Sequence, residues 1–426
     1  MERKQMIVQR ARKSFGERLD QVLQTVRQDR EELRGWQEPA HLRAVLRRAV
    51  REVRHAEGGT VPAAVAESGI GRGAGEPDRG EQREGLGQIL EAGAAALEKI
   101  LGSQTPDLTA DDVFGLECVI LLYGRPGLLV SEGRMAEGPA FWNVLEDQRD
   151  DIELAQRGVG RIELVGHPDF DWAGTGFLVS ETCVMTSRSV TQVFAESAAG
   201  GSWQFRPGIS AWMDYQPDYQ RPVSATYRLK GVLGFHDRYD LALLDVEPPQ
   251  QNGAPAPLAL ATEPPPKLEG RPVYLIGYPN RDGRRNEPEA IARVFRDDYN
   301  VKRIQPGTLR GMVQFRDVHI LQHDCAPLGH SAGGCLIDLE THRVLGLHVS
   351  GRYLETGTAV PLWMLHDDPL LCRCGVTFAN ASCQELQGAT SQIERLARSR
   401  YWSETRAQLN SLYQRAFGSQ GSEQGS

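Results

Sequence analysis

Ser331 lies in the run Gly329-His330-Ser331-Ala332-Gly333-Gly334. A serine among glycines can present its hydroxyl at a sharp turn, where it can attack a carbonyl if a base takes its proton. Histidine titrates near neutrality and most often serves as that base. Three histidines come into question. His330 precedes Ser331, but adjacent side chains in an extended loop point apart. His236 lies just before Asp240, and His323 just before the serine loop. Each is more often a surface or packing histidine. Cys372-Arg373-Cys374 with Cys383 has the ligand types of a zinc site but the wrong spacing. No metal and no other cofactor is expected.

The elements that would position such chemistry read as β-strands. Gly174-Thr175-Gly176-Phe177-Leu178-Val179-Ser180 is a strand opened by glycines, and Cys183-Val184-Met185-Thr186-Ser187-Arg188-Ser189-Val190 is a second strand running into a turn. Together they resemble the G-T-G-F-L-V…V-L-T-N-x-H-V run of bacterial trypsin-like serine peptidases. Tyr239-Asp240-Leu241-Ala242-Leu243-Leu244-Asp245-Val246 resembles the strand that presents the triad aspartate of that family. The serine loop resembles its G-x-S-G-G nucleophile loop, and the order along the chain is that of the chymotrypsin arrangement. Val273-Tyr274-Leu275-Ile276-Gly277-Tyr278-Pro279, the run from Tyr299 to Gly307, and His323-Asp324-Cys325 are similar to further segments of these enzymes. The resemblance covers about Val159 to Leu370.

It implies an α+β multidomain protein whose all-β trypsin-like double β-barrel follows a helical region and precedes a C-terminal helix. It places Ser331 at the nucleophile and Asp240 at the triad aspartate, with backbone N–H groups of Gly329 and Ser331 as the oxyanion hole. It also exposes a departure, because Ser189 stands at the position of the base histidine and cannot accept a proton at neutral pH. Ala332 replaces the glycine after the nucleophile, which disfavours a positive φ there. His348, in Gly346-Leu347-His348-Val349-Ser350-Gly351, resembles the pocket histidine of Glu-specific bacterial peptidases, with Ser350 in place of a pocket glycine. The expected function is a catalytically impaired pseudoprotease that binds a protein or peptide partner in a bacterial signalling or defence system. The rivals are a serine endopeptidase with another base or partner-dependent activation, and an adaptor acting through its N-terminal helices.

The chain of 426 residues predicts two or three domains. No apolar run reaches the ~18 residues of a membrane span, and the N-terminus lacks a secretory apolar stretch. Seven cysteines, an odd number, suit free thiols in a reducing cytoplasm. A net charge of −8 disfavours nucleic acid as partner. Residues 1–57 are the exception, with 14 Lys and Arg against 9 Asp and Glu.

Apolar residues at three- and four-residue steps from Val8 to Val26 and from Leu42 to Val53 predict a basic helical hairpin over 1–57. The Gly- and Pro-rich stretch 58–81 reads as a flexible linker, open to trypsin at Arg72 or Arg79. Helices are expected over 83–101, after a cap at Thr109, and from Pro139 to Leu154, so that 82–158 forms a helical region packing on the barrel. The barrel takes 159–370. An amphipathic helix over about 382–417 and a polar tail complete the chain.

Overall fold

The computed structural model describes residues 2–16, 19–34, 79–139, 142–198, 202–216, 226–248, 255–279, 301–325, 331–351 and 356–379. The second helix of the expected hairpin, nearly all of the expected linker and the 382–417 helix lie outside these residues. The periodic stretch from Val8 to Val26 is two helices rather than one, α1 (Glu2–Phe15) and α2 (Leu19–Arg34). Gly16, at φ 57°, makes the break. Arg79 opens α3 (Arg79–Gly102), so its backbone is helical rather than linker. Thr109 caps α4 (Ala110–Val119) through a reciprocal bond with Asp112. These helices bury Ile7, Ala11, Phe15, Val22, Val26, Leu90, Leu97 and Leu116 in a core of their own.

The segment expected to be wholly helical also contains a hairpin, β1 (Leu128–Ser131) and β2 (Arg134–Met135). Two short helices follow, α5 (Val144–Asp147) and α6 (Arg149–Ala155), where one was expected.

Two barrels come next. The first closes six antiparallel strands: β3 (Val159–Val165), β4 (Trp172–Ser180), β5 (Cys183–Thr186), β8 (Ser210–Asp214), β9 (Thr226–Phe235) and β10 (Ala242–Val246). A one-turn helix α7 (Arg188–Thr191) and the pair β6 (Ala195–Ser197) and β7 (Trp203–Phe205) lie between β5 and β8. The second barrel runs β11 (Pro272–Gly277), β14 (Cys335–Asp338), β15 (Val344–Gly351), β16 (Gly357–Pro361), β13 (Val318–His323) and β12 (Arg303–Phe315), and β12 pairs back onto β11. Closure removes the free edges an open sheet would leave. The hairpin joins this barrel through β1, with Leu128 opposite Ile304.

Strand periodicity explains how the barrels meet. Successive side chains of a strand point to opposite faces. Leu178, Val184 and Leu244 fill the first barrel. Val273, Leu275 and Leu336 fill the second. Their neighbours Phe177, Val179, Met185, Leu243, Tyr274, Ile276, Cys335 and Ile337 form a third, shared core between the barrels. These strands are buried on both faces and therefore read as continuous apolar runs.

Two buried cations fasten the pieces. Lys302 donates to the Gln156 carbonyl and side chain, both at 2.9 Å, and to the Tyr215 carbonyl at 2.8 Å. It thereby ties the end of α6 to both barrels. Arg125, just beyond the helical bundle, forms a two-bond pair with Asp324 of the second barrel at 2.9 and 2.6 Å. Asp324 also accepts the Thr308 N–H at 2.7 Å and a bond from Arg310.

After α8 (Pro369–Arg373) the chain returns to the first barrel, where the Thr377 N–H donates to the Val179 carbonyl at 2.8 Å. Cys374 lies there against Cys183. The neighbouring Cys183 thiol holds the Cys374 thiol down to about 7, while the Cys183 thiol is itself pushed up. Iodoacetamide should therefore modify Cys374 with a midpoint near pH 7, read by peptide mass spectrometry. A midpoint near 9, the ordinary thiol value, would show that the two sulfurs are not in contact.

Candidate active site

β5 ends at Thr186, and Ser187 caps α7 by accepting the Val190 N–H at 3.2 Å. This places Ser189 in the first turn, exposed and facing Asp240. The Ser189 N–H donates to Asp240 Oδ1 at 2.8 Å, and its hydroxyl donates to Oδ2 at 3.1 Å. Ser187 Oγ lies 3.0 Å from Ser189 Oγ. Both carboxylate oxygens are thus engaged by Ser189.

Asp240 is held by a rigid turn. His236 Nδ1 accepts the Arg238 and Tyr239 N–H groups, each at 3.1 Å, and the His236 N–H donates to the Leu241 carbonyl at 3.0 Å. His236 Nε2 lies 3.2 Å from Asp368. Burial pulls the His236 imidazole below its ordinary value despite that carboxylate. His236 is a brace for the turn.

Ser331 is only 2% exposed. Its hydroxyl accepts the Gln305 side-chain N–H at 3.2 Å, inside the second barrel. A Cβ added at Gly277, the last residue of β11, would lie 3.0 Å from Ser331 Cβ. Ala332 is partly exposed, and its carbonyl accepts the Thr175 N–H of the first barrel at 3.1 Å. The positive φ expected to strain Ala332 falls one residue later, at Gly333, with φ 84°. A side chain there would sit 2.0 Å from the Thr175 carbonyl oxygen and 2.4 Å from Thr186 Oγ1, so only glycine fits. Gly333 N–H donates to the His348 carbonyl at 2.9 Å, and His348 N–H donates to the Gly334 carbonyl at 2.8 Å. The serine loop is therefore pinned between the barrels. Gly329 and His330 lie outside the described residues.

His348 is buried beside a partner that sequence reasoning treated separately. His323 Nε2 and His348 Nδ1 are 3.0 Å apart. The two residues sit on β13 and β15, with β16 between them. Gly357 of β16 lies opposite His323, and a Cβ there would strike the imidazole ring at 2.5 Å. Its missing side chain makes room for the pair. The Cys325 N–H donates to His323 Nδ1 at 3.3 Å. In the neutral pair His323 Nε2 then carries its proton and donates to His348 Nδ1, which leaves the other proton on His348 Nε2. Ser350 is exposed, and its hydroxyl lies 3.0 Å from Thr358 Oγ1.

Sequence reasoning missed Gln305, Ser187 and the pairing of His323 with His348. Gln305 left no trace, because its strand Arg303–Phe315 carries polar residues along its length. Among the described residues no group of three or more His, Cys, Asp and Glu side chains could hold a metal ion. Cys372 Sγ faces the His366 carbonyl at 3.6 Å, and Cys374 faces Cys183. Cys383 lies outside the described residues. No described helix is long and apolar enough to cross a membrane.

Residues 174–347 match the family profile of the trypsin-like peptidase domain. Comparison with curated proteins gives no significant match. Among solved structures, the chain is similar to the active form of the Rv3671c protease from M. tuberculosis, with 19% identity, 60% of this chain and 94% of that one covered, and a TM-score of 0.38. It is also similar to the inactive form of Rv3671c, with 21% identity, 58% and 99% covered, and a TM-score of 0.35. A serine endoprotease from Yersinia pestis aligns at 15% identity over 56% of this chain and 70% of its own, with a TM-score of 0.37.

Proposed function

We propose that this chain, which carries a trypsin-like peptidase domain over residues 174–347, binds a protein or peptide at the seam of its barrels without cutting it. The observation that carries this reading is the closed contact between Ser189 and Asp240. In a working triad the aspartate holds an imidazole, and the imidazole removes the serine proton. Here the aspartate holds a hydroxyl and an amide, neither of which can take that proton. Loss of the base from subtilisin, the worked case for this effect, lowers turnover by about 10⁶. Of the histidines that come into question as a base, His236 braces a turn, His323 is bonded to His348, and His330 lies outside the described residues.

The bound chain would present an acidic side chain to His348. A carboxylate can accept the His348 Nε2 proton, and a second proton entering the imidazole pair would turn that bond into an ion pair. Fluorophosphonate reagents test the loss of chemistry, because they mark an activated serine. The unmodified chain should show no labelling above that of the heat-denatured protein. Labelling that disappears in Ser331→Ala would establish a working nucleophile and move the reading to an endopeptidase.

A further inference from the structure

We infer that Ala332, not Ser331, occupies the nucleophile position, so that the site lacks the attacking group as well as the base. The inference rests on the reading of the chain as a peptidase-fold binder and makes it stricter. The pattern G-x-S-G-G fits this loop in two registers. Its first half places the serine at Ser331. Its second half, a residue followed by two glycines, fits Ala332-Gly333-Gly334. The registers differ by one residue, and a one-residue slip in extended chain exchanges the faces on which side chains lie.

The geometry chooses the second register. A nucleophile must be reachable by substrate and must face the group that would activate it. That group would stand at position 189, on α7 of the first barrel. Ser331 meets neither condition, since it is 2% exposed and its hydroxyl is bonded to Gln305 of the second barrel. Ala332 meets both. It is partly exposed and packs against the first-barrel core that contains Val190, the residue after Ser189. Gly174 gives an independent measure of that proximity. A Cβ built there would lie 2.6 Å from a Val190 methyl and 3.3 Å from the Ala332 carbonyl oxygen. Ala332 and the α7 segment therefore meet over one glycine, while the Ser331 hydroxyl is directed to Gln305. A peptide carbonyl seated at this point meets a methyl group, and a base supplied by a partner would find no hydroxyl to activate.

The test compares Ser189→His, Ala332→Ser and the double variant, each treated with a fluorophosphonate and mapped by mass spectrometry. In the productive case the imidazole takes the hydroxyl proton, the serine oxygen forms the bond to phosphorus, and fluoride leaves. The double variant should be labelled at position 332 at least 100-fold above either single variant. Labelling of Ser331 in Ser189→His alone would overturn the inference while leaving the unmodified chain a non-enzyme. Labelling of the unmodified chain would instead overturn the proposed function. Should the double variant fold, by its melting curve, yet stay unlabelled, maleimide modification of Ala332→Cys and Ser331→Cys decides. Position 332 should react at least tenfold faster, and equal or reversed rates would overturn the inference.

Discussion

Arg125→Ala should lower the stability of the folded chain by about 3–5 kcal/mol, the cost of leaving one member of a buried ion pair alone. For a domain of this size that is a fall in melting temperature of about 10 °C. The pair is buried on both sides, with side-chain exposures of 3% and 1%. Arg125 places both nitrogen bonds on the Asp324 carboxylate in the forked geometry that only a guanidinium offers. Arg125→Lys should therefore recover only part of the loss. Adding Asp324→Asn to Arg125→Ala should also recover part of it, because the orphaned charge is then gone. A loss below about 1 kcal/mol for Arg125→Ala, by thermal or denaturant unfolding, would show that Arg310 and Thr308 alone satisfy Asp324. Arg125 is one of the points at which the region before the barrels grips them, through a carboxylate a few residues ahead of the serine loop.

His348→Ala should weaken the binding of peptides that seat a glutamate beside it by about 10- to 100-fold, the worth of one hydrogen bond to a charged group. A matched peptide with glutamine should bind the unmodified chain more weakly by a similar factor and should be nearly indifferent to His348→Ala. Titration calorimetry with the two peptides and the two proteins closes the cycle. An equal loss for the neutral and the acidic peptide would make His348 a wall residue. Gly357→Val, which drives a side chain into the His323 ring, should act in the same direction without touching the peptide.

The barrels were legible in the sequence for a physical reason. Strands such as Phe177-Leu178-Val179 and Tyr274-Leu275-Ile276 are apolar on both faces, one filling a barrel and the other the shared core. Ser189 and Asp240 were placed by the same runs, and the structure brings them into contact. The parts that were not legible depend on contacts distant in sequence. Leu128 becomes a strand because it pairs with Ile304, and nothing near Leu128 announces that partner. The His323–His348 pair needs an intervening strand with Gly357 at the right register. Ser331 and Ala332 are neighbours, so motif matching could not separate them at single-residue precision, whereas in the structure they differ in burial and in the Gln305 bond to Ser331.

The most direct measurement is the fate of a bound peptide. A glutamate-containing peptide that saturates the full chain, with binding followed by calorimetry, should be recovered by mass spectrometry with unchanged mass after days at neutral pH. The recovered amount should equal that from a control without protein. Peptide cut next to the glutamate, in proportion to the chain added and abolished by Ser331→Ala, would contradict the account.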